Sequence, residues 1–110
     1  MNKLYYSHEA ISDLDEIWAY IYAELKNPSA AQNTVNRILD SIEMLESFQE
    51  MGPLLSSLSK LETDYRFLVC GDYLAFYRVK EEGVYIDRVL NGRRDYLRIL
   101  FGDLVPDATS

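Results

Sequence analysis

The apolar residues of this chain change their spacing once, and that change bounds what it can fold into. Between Ala10 and Phe48 they recur every three or four positions, first at Ala10, Ile11, Leu14, Ile17, Trp18, Ile21 and Leu25, then at Ala31, Val35, Ile38, Leu39, Ile42, Leu45 and Phe48. Each set lies along one stripe of an α-helix, with Glu9, Asp13, Asp15, Glu16, Glu24, Asp40, Glu43, Glu46 and Glu50 mostly on the wet side. After Asp64 the period falls to about 2. Tyr65–Cys70, Tyr73–Val79 and Val84–Leu90 are β-branched and aromatic runs, separated by hairpin-type connections at Gly71–Asp72 and Glu81–Gly83. Helices first and strands second predict an α+β domain, because each kind of element must bury its apolar side against the other.

Local signals place the boundaries. Lys3–Tyr6 is a short aromatic run that reads as a strand, and Ser7 is a candidate N-cap for the first helix. Asn27–Pro28 ends that helix and starts the second, since proline at the first helical position lacks only an N–H that has no partner anyway. Gly52–Pro53 is the expected stop of the second helix, and the serine-rich stretch Leu54–Asp64 reads as a loop with a helical turn. The expected order is β-α-α-β-β-β followed by a short C-terminal helix or tail. The helical hairpin covers one face of an antiparallel meander that the N-terminal strand extends.

At 110 residues with 48% apolar content the chain is one domain, residues 1–105, with a polar tail at 106–110. A lone cysteine, Cys70, sits in an apolar run and reads as a small buried thiol, which suits a reducing cytoplasm. No stretch has the length of a membrane span, and the N-terminus lacks the apolar core of a signal peptide. No metal-ligand spacing, nucleotide-binding loop or nucleophile–base pair is visible, so neither a metal nor a cofactor is assigned.

The net charge of −7 is unevenly spread: Met1–Asp64 holds four basic and eleven acidic residues, whereas Tyr65–Ser110 holds seven of each. An acidic chain does not bind nucleic acid chiefly by neutralising phosphates, so direct DNA binding by this chain alone is not expected. Against that background RVLNGRRDYLR, residues 88–98, gathers Arg88, Arg93, Arg94 and Arg98 around one carboxylate. Strand alternation places Arg66 with Leu68 and Cys70, Arg78 with Leu74 and Phe76, and Arg88 with Val84 and Ile86. Two readings fit: arginines that snorkel at the sheet's edge, or arginines that line a half-exposed concavity opposite the helices. Ion pairs with Asp87, Asp72 or helix carboxylates are the internal alternative to a recognition surface.

The order of elements, with YRFLVCGDYLAFYRV at 65–79 and VYIDRVLNGRRDY at 84–96, resembles the RelE/ParE superfamily of bacterial type II toxins, which includes proteins called plasmid stabilization proteins. The resemblance covers about Lys3 to Phe101. It implies a cytoplasmic bacterial toxin neutralised by a cognate antitoxin. In one branch such toxins poison DNA gyrase; in the other they cut messenger RNA on the ribosome. For a toxin of either branch the expected target- or antitoxin-binding residues are Arg66, Arg78, Arg88, Arg93, Arg94, Tyr96, Arg98 and Phe101. The apolar run LRILF is expected to be a sticky surface that an antitoxin segment covers, its carboxylates meeting Arg93 and Arg94.

Cleaving RNA beside a 2′-hydroxyl requires a base, an acid and cations for the developing phosphorane charge. A ribonuclease here would use Arg66, Arg78, Arg93, Arg94 and Tyr96. The sequence departs from that branch at two places. Leu74 stands where the ribonuclease pattern carries an arginine, and Asn91 stands where many relatives carry a histidine. The one histidine, His8, lies near the start of the first helix, away from the meander. These departures and the acidic first half favour the ParE-like, non-catalytic branch with gyrase as target. An mRNA endoribonuclease and an inactive antitoxin-binding module are the alternatives.

Overall fold

The computed structural model describes residues 1–102, and the tail expected at 106–110 lies outside them. Strand β1 (Leu4–Tyr6) leads into helices α1 (His8–Leu25) and α2 (Pro28–Glu43), and strands β2 (Arg66–Cys70), β3 (Tyr73–Lys80) and β4 (Gly83–Asn91) follow, before the short helix α3 (Tyr96–Phe101). The sheet order is β1-β4-β3-β2, with β2-β3-β4 an antiparallel meander and β1 parallel to β4. This is the α+β arrangement read from the sequence. The caps fall where expected: Ser7 Oγ accepts from Ala10 N at 2.9 Å, and Asn27 Oδ1 accepts from Ser29 N at 3.0 Å. Lys26, in the left-handed region at φ 51°, turns the chain between the two helices.

The sheet is covered on both faces. Ala10, Leu14 and Ile17 of α1 and Val35, Ile38 and Ile42 of α2 pack on Leu68, Cys70, Ala75, Tyr77, Val84, Ile86 and Val89. On the other face Leu55, Phe67, Phe76 and Leu90 pack under Tyr96, Leu97, Ile99, Leu100 and Phe101. The LRILF run is therefore not a free sticky surface, as its sequence suggested. Its apolar side chains are half-buried against the chain's own sheet, where they remove from water a face that two helices on the other side leave bare.

Two features depart from the sequence reading. The second helix ends at Glu43, not at Gly52–Pro53, and passes through a 3₁₀ turn at Met44–Glu46, so Leu45 is buried while Phe48 is 60% exposed. The second change is a β-bulge in β4: Tyr77 pairs with Ile86 and Phe76 with Arg88, leaving Asp87 unpaired. The extra residue reverses the alternation, so Val84 and Ile86 share the helix-side core with Val89. Arg88 consequently does not share their face, which corrects the alternation inferred from sequence.

The segment between α2 and β2 is clamped to the sheet. Gly52 N donates to the buried Tyr77 Oη at 2.9 Å, and Phe67 N donates to Pro53 O at 3.1 Å. A Cβ on Gly52 would lie 2.4 Å from Phe67 O and 2.8 Å from Tyr77 Oη, so side-chain size, not backbone angle, demands glycine here. Gly52→Ala is expected to cost about 3 kcal/mol by overpacking. Urea denaturation of the variant checks this, and a loss below about 1 kcal/mol would contradict the clamp.

Candidate functional site

Strand β1 ends at Tyr6, so β4 beyond Ile86 has no neighbouring strand on that side. Side chains replace it. Ser7 N donates to Ile86 O at 2.9 Å and Ser7 Oγ to Asp87 O at 2.7 Å. Asp13 of α1, 4% exposed, accepts from Val89 N at 2.9 Å, and Arg88 clasps the same carboxylate through Nε at 2.8 Å and Nη2 at 2.9 Å. Asp13 thus meets three donors, which is what a buried carboxylate needs to offset its lost hydration. The pairing with Asp13 raises the Arg88 pKa further, so the guanidinium stays charged. Sequence reading left Asp13 on the wet side. Its position three residues after Ala10 and four before Ile17 puts it inside the apolar stripe, a signal that was available.

The other strand arginines are also engaged within the chain. Arg78 Nε donates to Asp87 Oδ2 at 2.8 Å, Tyr65 Oη donates to the same oxygen at 2.7 Å, and the Arg78 guanidinium lies 5.4 Å from the centre of the Tyr65 ring. Burial, together with the Asp87 hydrogen bond and charge, pushes the Tyr65 phenol up to about 12, so it donates and does not act as a base near neutrality. Arg66 Nη1 donates to Gly52 O at 2.8 Å and Glu50 O at 3.3 Å. Tyr96 packs on Phe76 with ring centres 5.2 Å apart, Phe101 meets Tyr65 edge-on at 5.8 Å, and Arg98 reaches Asp95 at 3.5 Å. His8 is the first residue of α1 and exposed, apart from these groups.

Arg93 and Arg94 differ. Both are exposed, and neither side chain makes an ion pair or hydrogen bond among the described residues. The turn that carries them is built by Asn91, whose Oδ1 accepts from Arg93 N at 2.9 Å and whose carbonyl accepts from Arg94 N at 3.0 Å. The amide of Asn91 suits this turn because its short side chain mimics a backbone acceptor. Gly92 N donates to Asp72 O at 2.9 Å, tying this turn to the β2–β3 hairpin.

Arg94 borders a groove of about 330 Å³ between α1 and the end of β4, lined also by Ile17, Tyr20, Tyr73 and Val89 and by the carboxylates of Asp13 and Glu16. The groove continues past Tyr20 and Tyr73 to Arg93, with Glu24 and Asp72 along it. Apolar and tyrosine surface bordered by two guanidiniums that no described residue pairs suits a peptide that brings leucine-type anchors, with carboxylates for Arg93 and Arg94. Of the predicted site residues, the structure brings Arg93 and Arg94 to one open site. It places Arg66, Arg78, Arg88, Tyr96, Arg98 and Phe101 in contacts within the chain. Tyr20 and Tyr73 were missed by the sequence reading; a tyrosine on a helix or strand looks like core until the groove is seen.

A parallel edge strand, a helical hairpin on a three-stranded meander and a basic turn beside a tyrosine groove define a small α+β domain with one open candidate recognition site. Residues 4–96 match the family described as ParE toxin of type II toxin-antitoxin system, parDE, and the chain belongs to that family. Among solved structures it is similar to one described as a chromosomal ParDE TA system from P. aeruginosa, with 26% identity and a TM-score of 0.68 over 83% of this chain and 96% of that one. YafQ from E. coli strain BL21(DE3) matches at 16% identity and a TM-score of 0.48, over 93% of this chain and 100% of that one. No curated protein sequence matches significantly. No described helix is long and apolar enough to cross a membrane.

The edge cap yields a direct expectation. Asp13→Ala strips Arg88 and Val89 N of their acceptor and is expected to cost about 3–5 kcal/mol. Asp13→Asn keeps an acceptor for Val89 N and should lose less. Equal stability of wild type and Asp13→Ala in thermal and urea unfolding would contradict the role.

Proposed function

We propose that this ParE-family chain arrests growth by binding DNA gyrase through the Arg93–Arg94 turn, and that a cognate antitoxin neutralises it by covering that turn and the adjoining groove. The observation that carries the reading is the contrast among the arginines. Those on the strands are held by Asp13, Asp87 and backbone carbonyls, whereas Arg93 and Arg94 stand exposed on a turn whose backbone is fixed. A fixed turn loses little entropy when a partner binds, which favours recognition over an incidental surface charge.

The same contrast bears on catalysis. A ribonuclease acting through Arg66, Arg78, Arg93, Arg94 and Tyr96 needs these groups to converge on one phosphate. Here Arg66 serves the Gly52 loop, and Tyr96 packs on Phe76. Protein-directed binding needs no such convergence, and it tolerates the acidic first half of the chain better than work among RNA phosphates does.

Expression of the chain alone, then of the Arg93→Glu/Arg94→Glu variant, tests the proposal. The wild type should arrest growth and inhibit plasmid supercoiling by purified gyrase. The variant should do neither, with its melting temperature shifted by no more than about 2 °C because both side chains are exposed. Arrest with cleaved messages and normal supercoiling would overturn the gyrase reading in favour of the ribonuclease.

A further inference from the structure

The connection between α2 and β2 holds its apolar residues outward. Met44, Phe48, Met51, Leu54 and Leu58 are 42% to 60% exposed, although Leu45 and Leu55 in the same segment are buried. The segment therefore has its own inward anchors, and the exposed residues are not a failed core. Its backbone is fixed: Arg66 holds the carbonyls of Glu50 and Gly52, Tyr77 holds Gly52 N, and Leu55 N donates to Tyr65 O at 2.8 Å. Phe48 and Met51 ride on successive tight turns, Phe48 N bonding Met44 O and Met51 N bonding Phe48 O. Large apolar side chains on a rigid frame bind with little ordering cost.

The charge around Met44, Phe48 and Met51 is mainly negative. No lysine or arginine occurs between Arg37 and Lys60, while Glu43, Glu46 and Glu50 are interleaved with Met44, Phe48 and Met51. Of the nearby cations, Arg66 is turned to the Glu50 and Gly52 carbonyls, Lys3 borders Glu43 and Glu46 on the side of the N-terminal strand, and exposed Lys60 follows Leu58 at the far end of the segment. A symmetric pairing of two copies through this patch would set these carboxylates against their own images, which disfavours a second copy.

We propose that the Met44–Leu58 connection is a docking surface for a protein segment presenting apolar anchors flanked by lysine or arginine. It is tied to the start of β2, at Arg66 and Phe67, whereas the Arg93–Arg94 groove lies where β3 begins and β4 ends. The Arg93–Arg94 groove carries two exposed guanidiniums among its carboxylates, whereas the segment between Arg37 and Lys60 carries carboxylates alone, so the two surfaces select partners of different charge. They can be occupied together. This surface does not depend on gyrase being the target of the other.

The test is amide chemical-shift mapping on the full chain with two synthetic amphipathic helices of identical pattern, one of leucine and lysine, the other of leucine and glutamate. The lysine peptide should shift amides of Met44–Leu58 and the start of β2, while the glutamate peptide leaves them in place. Phe48→Ser with Met51→Ser should weaken binding at least about tenfold, as for anchors at an interface centre. Glu43→Gln, Glu46→Gln and Glu50→Gln together should weaken it and flatten its salt dependence. Mapping of the lysine peptide to the Glu9, Glu16 and Glu24 side of α1 would overturn the proposal. So would affinity indifferent to Phe48 and Met51, or self-association of the chain through this segment.

Discussion

The buried carboxylate of Asp13 carries the architecture from β1 into the helices and back to β4. A three-residue first strand cannot cover a nine-residue neighbour, and the uncovered N–H of Val89 needs an acceptor. Asp13 supplies it from the first helix, and Arg88 balances the charge from the strand itself. Because an unpaired buried charge is far more costly than a missing apolar contact, this arrangement fixes the angle at which α1 meets the sheet. The same contact holds the open edge of β4 at Val89, just before Asn91 turns the chain to present Arg93 and Arg94. The groove between α1 and β4 follows from the same contact.

The positive charge of an acidic chain is divided by location. Arginines on regular strands have neighbours fixed by the ladder, so a carboxylate or carbonyl can be placed within reach, as Asp87 is for Arg78 and the Gly52 carbonyl for Arg66. Asp87 can serve Arg78 and Tyr65 together because the bulge leaves it without a cross-strand partner. Arginines on the Asn91–Gly92 turn make no such ion pair or hydrogen bond among the described residues, and their charge faces solvent or a partner. The acidic surface of the helical hairpin then keeps the positive field local to that turn, which sharpens discrimination among partners more than it adds affinity.

Much of this fold was legible in the residues. The switch of period after Asp64, the Ser7 and Asn27–Pro28 caps and the two hairpin turns place the starts of both long helices and the three meander strands to within a few residues, whereas the end of the second helix, expected at Gly52–Pro53, falls at Glu43. The resemblance of the meander to the toxin superfamily agrees with the family match over residues 4–96. What sequence did not give depends on contacts between distant residues. The bulge at Asp87 inverts an alternation that looks continuous in VYIDRVL, and nothing local marks it. The fate of LRILF was misread because a single amphipathic turn fits a partner's surface and the chain's own sheet equally well. Arg93 and Arg94 were legible as a cluster, but their separation from the strand arginines required knowing that Asp13 and Asp87 lie within 3 Å of the latter.

The account's central claim is that strand guanidiniums hold the fold while turn guanidiniums meet other molecules. A crystal structure of the chain bound to a cognate antitoxin tests this most directly. The account predicts partner carboxylates on Arg93 and Arg94, with the Arg88–Asp13 and Arg78–Asp87 pairs unbroken. A complex in which Arg78 or Arg88 leaves its internal carboxylate to bind the partner, while Arg93 and Arg94 remain in solvent, would contradict it.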